Sequence, residues 1–153
     1  RVIVDDMIFV SATYETGATV LRVSGSTLEP LWAGDEVLSN HYATSVYYDG
    51  HLYGFHGRQE FGQAFRAVEF RTGKVKWSEE RFNAGTVLLA GNRLVILREN
   101  GELVLALASP EGFKPLARAR ILSGITRAYP ALSDGFLYAR NAEDTLVCLD
   151  LRR

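Results

Sequence analysis

Six side chains of this chain stand out for the chemistry they could do. Asn40, His41 and Tyr42 are consecutive. Arg58 follows in the polar run His56-Gly-Arg-Gln-Glu60, and Asn83 and Arg127 come later. An imidazole can ligate a metal, move a proton or donate a hydrogen bond near neutral pH; the same ring at His41 also suits a structural cap. Arg127, just ahead of Tyr129-Pro130, could present a cation to an anionic ligand or pair with a carboxylate on a neighbouring loop. His56 and Arg58 sit where solvated loop residues are ordinary. No Gly-x-Ser-x-Gly elbow, His-Glu-x-x-His, phosphate loop or Gly-x-Gly-x-x-Gly occurs. Asp5-Asp6 and Glu79-Glu80 are adjacent in sequence; on a strand, neighbours point to opposite faces, so neither pair is expected to form a paired-carboxylate site. Catalytic residues are therefore unassigned, and no metal ligand set is expected.

The elements that must position these residues come from a repeat. Asp49-Gly50 lies inside Val46-Tyr-Tyr-Asp-Gly-His-Leu-Tyr53. The pattern returns as Leu88-Leu-Ala-Gly-Asn-Arg-Leu-Val95 and Ala131-Leu-Ser-Asp-Gly-Phe-Leu-Tyr138, and an earlier copy is Val4-Asp-Asp-Met-Ile-Phe9. The second residues of the turn pairs, Asp6, Gly50, Asn92 and Gly135, are 44, 42 and 43 positions apart. That period suits four-stranded propeller blades. Short Val-, Leu-, Ile-, Tyr- and Phe-rich runs bounded by Gly, Asn and Asp read as strands, and Asp-Gly supplies the backbone of a tight hairpin. No window of helical length carries an amphipathic spacing.

The predicted fold is all-β: a partial β-propeller of four-stranded antiparallel blades, about four of them, in one domain. The blades fall at about 1–34, 43–80, 85–121 and 128–153. The best copy has strands Ala43–Tyr48, His51–His56, Ala64–Phe70 and Lys74–Glu79. The first begins Arg1–Val4 and continues Met7–Tyr14, Ala18–Ser24 and Leu28–Ala33. The third gives Gly85–Ala90, Arg93–Arg98, Glu102–Ala108 and Phe113–Ile121. The last gives Ala128–Ser133, Phe136–Asn141 and Thr145–Leu151, one outer strand short. An upstream part of the same propeller is therefore expected.

Composition narrows the partners. The 153 residues carry a net charge of −1 with interspersed signs, which gives no electrostatic case for nucleic acid or an acidic membrane surface. No apolar run is long enough to span a bilayer. The single cysteine, Cys148, excludes an internal disulfide. It aligns with Ala67 and Ala106 and reads as a small packing residue.

The segment Ala67-x-Glu69-x-x-Thr72-Gly73-Lys74-x-x-Trp77 resembles the tryptophan-docking motif of pyrroloquinoline-quinone-type (quinoprotein alcohol dehydrogenase-like) propellers, with Glu69 where Asp is usual. A small Ala67 would let the next blade's Trp pack close. Glu69 and Thr72 would tie the turn, and Gly73 would take the left-handed conformation. Trp32 reads as a remnant of the motif in the first copy, and Ala106 to Gly112 as an eroded third. The resemblance implies a bacterial repeat protein in the periplasm or otherwise outside the cytoplasm, as for a lipoprotein scaffold of outer-membrane β-barrel assembly machinery. It also implies, for the family's enzymes, pyrroloquinoline quinone with calcium. The acids, Asn and adjacent cysteines that hold that pair do not map onto this sequence, so the expectation is no cofactor. The expected function is a non-catalytic scaffold binding a protein or small-molecule ligand; the alternative is a fragment of a quinone-dependent dehydrogenase. In a meander, the loops before strand one and between strands two and three share a face, where function is usually carried. That face holds all six candidates.

Overall fold

The computed structural model describes residues 1–152. Its strands are β1 (Val2–Val4), β2 (Met7–Ala12), β3 (Gly17–Ser24), β4 (Thr27–Gly34), β5 (Val46–Tyr48), β6 (His51–His56), β7 (Ala64–Glu69), β8 (Val75–Glu79), β9 (Gly85–Ala90), β10 (Arg93–Arg98), β11 (Glu102–Leu107), β12 (Lys114–Arg120), β13 (Ala131–Ser133), β14 (Phe136–Arg140) and β15 (Leu146–Asp150). They form three four-stranded meanders, β1–β4, β5–β8 and β9–β12, and a three-stranded one, β13–β15. Every pairing is antiparallel. This is an all-β partial propeller whose last blade has no outer strand among the described residues.

The repeat is visible in the backbone hydrogen bonds. Val23, Phe70, Ala108 and Leu151 each donate their N–H to the second turn residue of their own blade: Asp6, Gly50, Asn92 and Gly135, at 2.7–2.9 Å. The first turn residue is left-handed in all four copies: Asp5, Asp49, Gly91 and Asp134. These are the residue types that reach positive φ at least cost.

That shared bond fixes a register that differs from the sequence alignment. Counting back three residues gives Val20, Ala67, Leu105 and Cys148 as equivalents, and a bulge follows the first three. Ala106 is therefore one position out. It pairs with Leu94 on the face toward blade 2, whereas Ala67 pairs with Tyr53 on the face toward blade 3. A period-two strand reverses its faces with a one-residue slip, and the apolar sequence Leu105-Ala-Leu107 leaves that slip invisible. Cys148 keeps its equivalence with Ala67 but is exposed, paired with Tyr138 on the outward face of the last blade.

Alternation along each middle strand sends one set of side chains toward each neighbouring blade. Leu52 packs toward blade 1, while Tyr53 and Phe55 pack toward blade 3. Leu94 and Ile96 point back to blade 2, while Val95 and Leu97 meet blade 4. At the two ends this rule leaves apolar rows uncovered. Ile3 (60% exposed), Ile8 and Leu21 pair across blade 1; Ala131, Tyr138 and Cys148 pair across blade 4. No described helix is long and apolar enough to cross a membrane.

Two short helical turns interrupt the loops. One, α1 (Asp35–Leu38), follows β4, and a 3₁₀ turn covers Gln59–Phe61. Neither was expected, because a single turn has no amphipathic period to detect. Ser39 holds α1 closed by donating its hydroxyl to the Asp35 backbone carbonyl and side chain. The second strand of blade 1 also ends earlier than expected. Tyr14 and Glu15 turn left-handed, which lifts Tyr14 out of the sheet and onto the loop face.

Candidate functional site on the loop face

The loop face is joined across all four blades by one chain of polar contacts. Its centre is Glu99, on the loop between β10 and β11. Both carboxylate oxygens accept from Gln59 Nε2 (2.8 and 2.7 Å), and Arg127 donates from Nε and Nη2 (3.1 and 2.8 Å). Tyr42 donates its hydroxyl at 3.4 Å. Three blades thus converge on one carboxylate: Tyr42 and Gln59 come from blade 2, Glu99 from blade 3, and Arg127 from the entry to blade 4.

Blade 1 joins through His41. The Gln59 backbone N–H donates to His41 Nδ1 (3.3 Å). With Nδ1 accepting, the neutral ring carries its proton on Nε2, which faces Tyr14 Oη at 3.2 Å. Arg58 lies over the Tyr14 ring at 4.6 Å and near Phe61 at 5.9 Å. Thr44, at the entry to blade 2, donates its N–H to Tyr129 Oη at 2.6 Å, a second tie from blade 2 to blade 4.

The electrostatics follow from this packing. Burial, and then the Glu99 carboxylate, push the Tyr42 phenol up to about 12, so it stays a hydrogen-bond donor at any ordinary pH. The Glu99 carboxylate raises the Arg127 guanidinium in turn. Arg127 is exposed at its tip, so this pair contributes order to the face more than stability.

The six candidates separate into three roles. His41, Tyr42 and Arg127 are in the network, and Arg58 flanks it on the Tyr14 ring. Asn40 is spent on the scaffold: its side-chain Nδ2 donates to the Phe55 carbonyl (2.8 Å), and its Oδ1 accepts from Ser45 (3.1 Å). It is 6% exposed and lines a small cavity with Ser11, His41, Tyr42 and Thr44. Asn83 is the reverse. It is exposed and left-handed, with its backbone N–H on the Gln63 carbonyl (2.9 Å). Its side chain lines a cavity of about 380 Å³ with Gln59, Arg98, Glu99, Asn100 and Ile125.

Glu99, Gln59 and Tyr14 were the members not singled out from sequence. A signal existed for two of them. Gln59 and Glu99 lie in the same loop, between second and third strands, in successive blades, and so belong to one face. Tyr14 carried none, since only its left-handed backbone takes it out of the strand.

The described residues offer no carboxylate cluster on which calcium could be seated. Among the described residues no three His, Cys, Asp or Glu side chains gather around a common point. Glu99, the carboxylate that faces the cavity, is already bridged to Arg127.

The other end of the molecule carries the Thr-Gly turn. Thr72 donates its hydroxyl to the Glu69 carboxylate, which holds that carboxyl below its ordinary value, and accepts from the Lys74 N–H at 3.2 Å. The indole received by this turn comes from the preceding blade, not the next one. Trp32 Nε1 donates to the Phe70 carbonyl at 2.8 Å, and a Cβ at Gly73 would lie 2.7 Å from the Trp32 ring. Trp77 makes the same bond one blade on, to the Ser109 carbonyl at 2.8 Å. Trp32 and Trp77 pair across their own blades with Val20 and Ala67, so the two indoles are equivalent. The Ala67 methyl lies under its own blade's Trp77, not under an incoming one.

No protein-family model matches this sequence, and no curated protein does. Solved structures match in fold. The computationally designed Ika8 protein aligns with 98% of the chain and 44% of its own length at TM-score 0.73 and 13% identity. BamB from Moraxella catarrhalis aligns with 96% of the chain and 41% of its own at 0.71 and 15%. A europium-containing methanol dehydrogenase aligns with 76% of the chain and 23% of its own at 0.59 and 13%. The chain thus spans less than half the length of each of these three, and identities this low establish the propeller fold alone.

Proposed function

We propose that this chain is part of a non-catalytic propeller scaffold that binds a protein or small ligand through its loop face. The observation that supports this is the convergence on Glu99. Loops from successive blades are tied into one ordered surface beside an open cavity, as expected of a binding face set on a rigid frame. The Trp32 and Trp77 contacts belong, on this reading, to blade-to-blade docking of the quinoprotein type. The uncovered rows on blades 1 and 4 suit further blades of the same propeller. A location outside the cytoplasm follows from the resemblance to periplasmic repeat proteins.

The second reading, a fragment of a quinone-dependent dehydrogenase, draws on the fold likeness to methanol dehydrogenase. Titration with pyrroloquinoline quinone and calcium, followed by absorbance, separates the two. The scaffold reading expects no saturable uptake. Stoichiometric uptake with dye-linked alcohol oxidation would overturn it.

A further inference from the structure

The cavity beside Glu99 has a chemical bias that the network around it does not exhaust. Its two charged side chains are already compensated. Glu99 is bridged to Arg127 at 2.8 Å, and Arg98 to Glu102 at 2.5 Å with a further bond to the Phe82 carbonyl. What remains unspent is carboxamide. The Asn83 side chain makes no hydrogen bond among the described residues. Asn100 uses only its Oδ1, on the Glu102 N–H, and Gln59 uses only its Nε2, on Glu99. Unpaired carboxamide groups therefore line one space, and the Glu143 carboxylate, against Gly124 of the same lining, is a further negative group that an anion would meet. Ile125, 50% exposed, supplies an apolar surface to the same space.

We propose that this cavity binds an uncharged polyhydroxyl ligand, a neutral sugar unit; the proposal rests on the loop face being the binding face. A hydroxyl both donates and accepts, so a pair of neighbouring hydroxyls matches a carboxamide on both of its atoms. The C–H face of a sugar ring is apolar and suits Ile125. An anion would meet the Glu99 carboxylate, and a cation would have to displace Arg127 from it. A volume of about 380 Å³ is at the small end for ligand cavities. It accommodates about one or two rings rather than the extended run a peptide main chain needs.

The test titrates the whole chain with neutral mono- and disaccharides, with a uronate, with an amino sugar and with a blocked dipeptide, followed by the NMR signals of the Asn and Gln side-chain amides. The expected result is saturable movement of the Asn83, Asn100 and Gln59 amides with a neutral sugar, and weaker or no movement with the other probes. Asn83→Gly keeps the left-handed backbone and removes the free carboxamide; it should weaken sugar binding about tenfold with an unchanged melting temperature. Asn83→Asp, of the same shape but charged, should weaken it too. If the dipeptide or a charged probe moves these amides and neutral sugars do not, the ligand class is overturned and the binding face survives. If sugars bind but move only amides elsewhere, or if no probe moves the loop-face amides, the face reading fails as well. Sugar binding that Asn83→Gly leaves intact also overturns the proposal.

Discussion

Blades 2 and 3 meet across a seam unlike the one between blades 3 and 4. The first holds eleven buried residues in one cluster, among them Tyr53, Phe55, Phe65 and Phe82, with Trp77 and Phe113 packed at its edge. The second is split into two groups of three: Val95, Leu103 and Leu137, and Leu97, Leu122 and Ala139. The difference begins at one position. The pairing that sets Trp32 on Val20 and Trp77 on Ala67 sets Ala117 on Leu105. Two seams carry an indole that crosses to the next blade's turn, and the third has a methyl there. The indole adds a hydrogen bond to a backbone carbonyl and closes the outer edge of the seam. Without it, β12 is exposed along its whole length, and the core beneath it thins to aliphatic side chains.

The sharpest way to break this contrast is Trp77→Ala, which gives the 2–3 seam what the 3–4 seam has. Trp77 sits 5.8–6.1 Å by ring centroids from Tyr53, Phe65 and Phe113. Truncation of a packed Trp costs about 3–5 kcal/mol, and the Ser109 carbonyl loses its partner as well. Chemical denaturation should show a loss in that range. A loss under about 1 kcal/mol would mean that the indole decorates the seam and does not hold it.

The repeat was legible in sequence because turn chemistry repeats. Asp-Gly and Gly-Asn mark hairpins whatever packs around them, and the four markers proved to be the four acceptors of one recurring backbone bond. Strand identity, blade order and the shared face of the loops followed from that. The partner of each Trp was not legible. Whether an indole docks forward or backward depends on which sheet face it leaves, and a bulge just after Ala67 alters that count without a trace in residue type. Cys148 shows the same limit: its place in the repeat was correct, but its burial depends on a neighbour that no motif in the strand reports. The site was half legible. Loop position placed His41, Tyr42, Arg58, Asn83 and Arg127 together on one face, and there they are. The side chain at the centre, Glu99, is distinguished only by meeting three other blade segments in space.

Gly73→Ala attacks the same staple from the receiving side. Gly73 has φ +72°, and a Cβ would meet the Trp32 ring at 2.7 Å. A left-handed non-glycine residue costs about 1–2 kcal/mol, and displacement of the indole adds to it, for about 2–3 kcal/mol in total. Gly91→Ala is the reference, since Gly91 is also left-handed, at φ +60°, with nothing within 4 Å of its Cβ. It should show the backbone cost alone. Equal losses at the two sites would remove the Trp32 contact from the account.

A smaller change of opposite sign is expected inside the 2–3 seam. Tyr53 is fully buried, its hydroxyl has no partner, and burial pushes the phenol up to about 12. Tyr53→Phe removes the unsatisfied group and keeps the ring, and should stabilise the protein by about 1 kcal/mol. A loss of stability would place a bound water on that hydroxyl and make the seam less dry than its composition implies.

The weakest effect lies on the loop side of the 1–2 seam, where α1 rests on blade 2. Ser39 donates its N–H to His56 Nδ1 at 3.1 Å, a bond that requires this nitrogen to be unprotonated. Burial, and then the nearby Arg66 guanidinium, lower the imidazole from its ordinary 6.5, against the pull of Glu36, Asp35 and Glu80. The unfolded chain therefore binds this proton more readily than the folded one. The contribution of His56 is complete above pH 6.5 and is lost as pH falls from there through the depressed folded value. Stability measured between pH 8 and pH 5 should decline at the acid end, and His56→Gln should flatten that decline while leaving the 2–3 seam as it is. An unchanged slope in the variant would remove His56 from the account of the acid sensitivity.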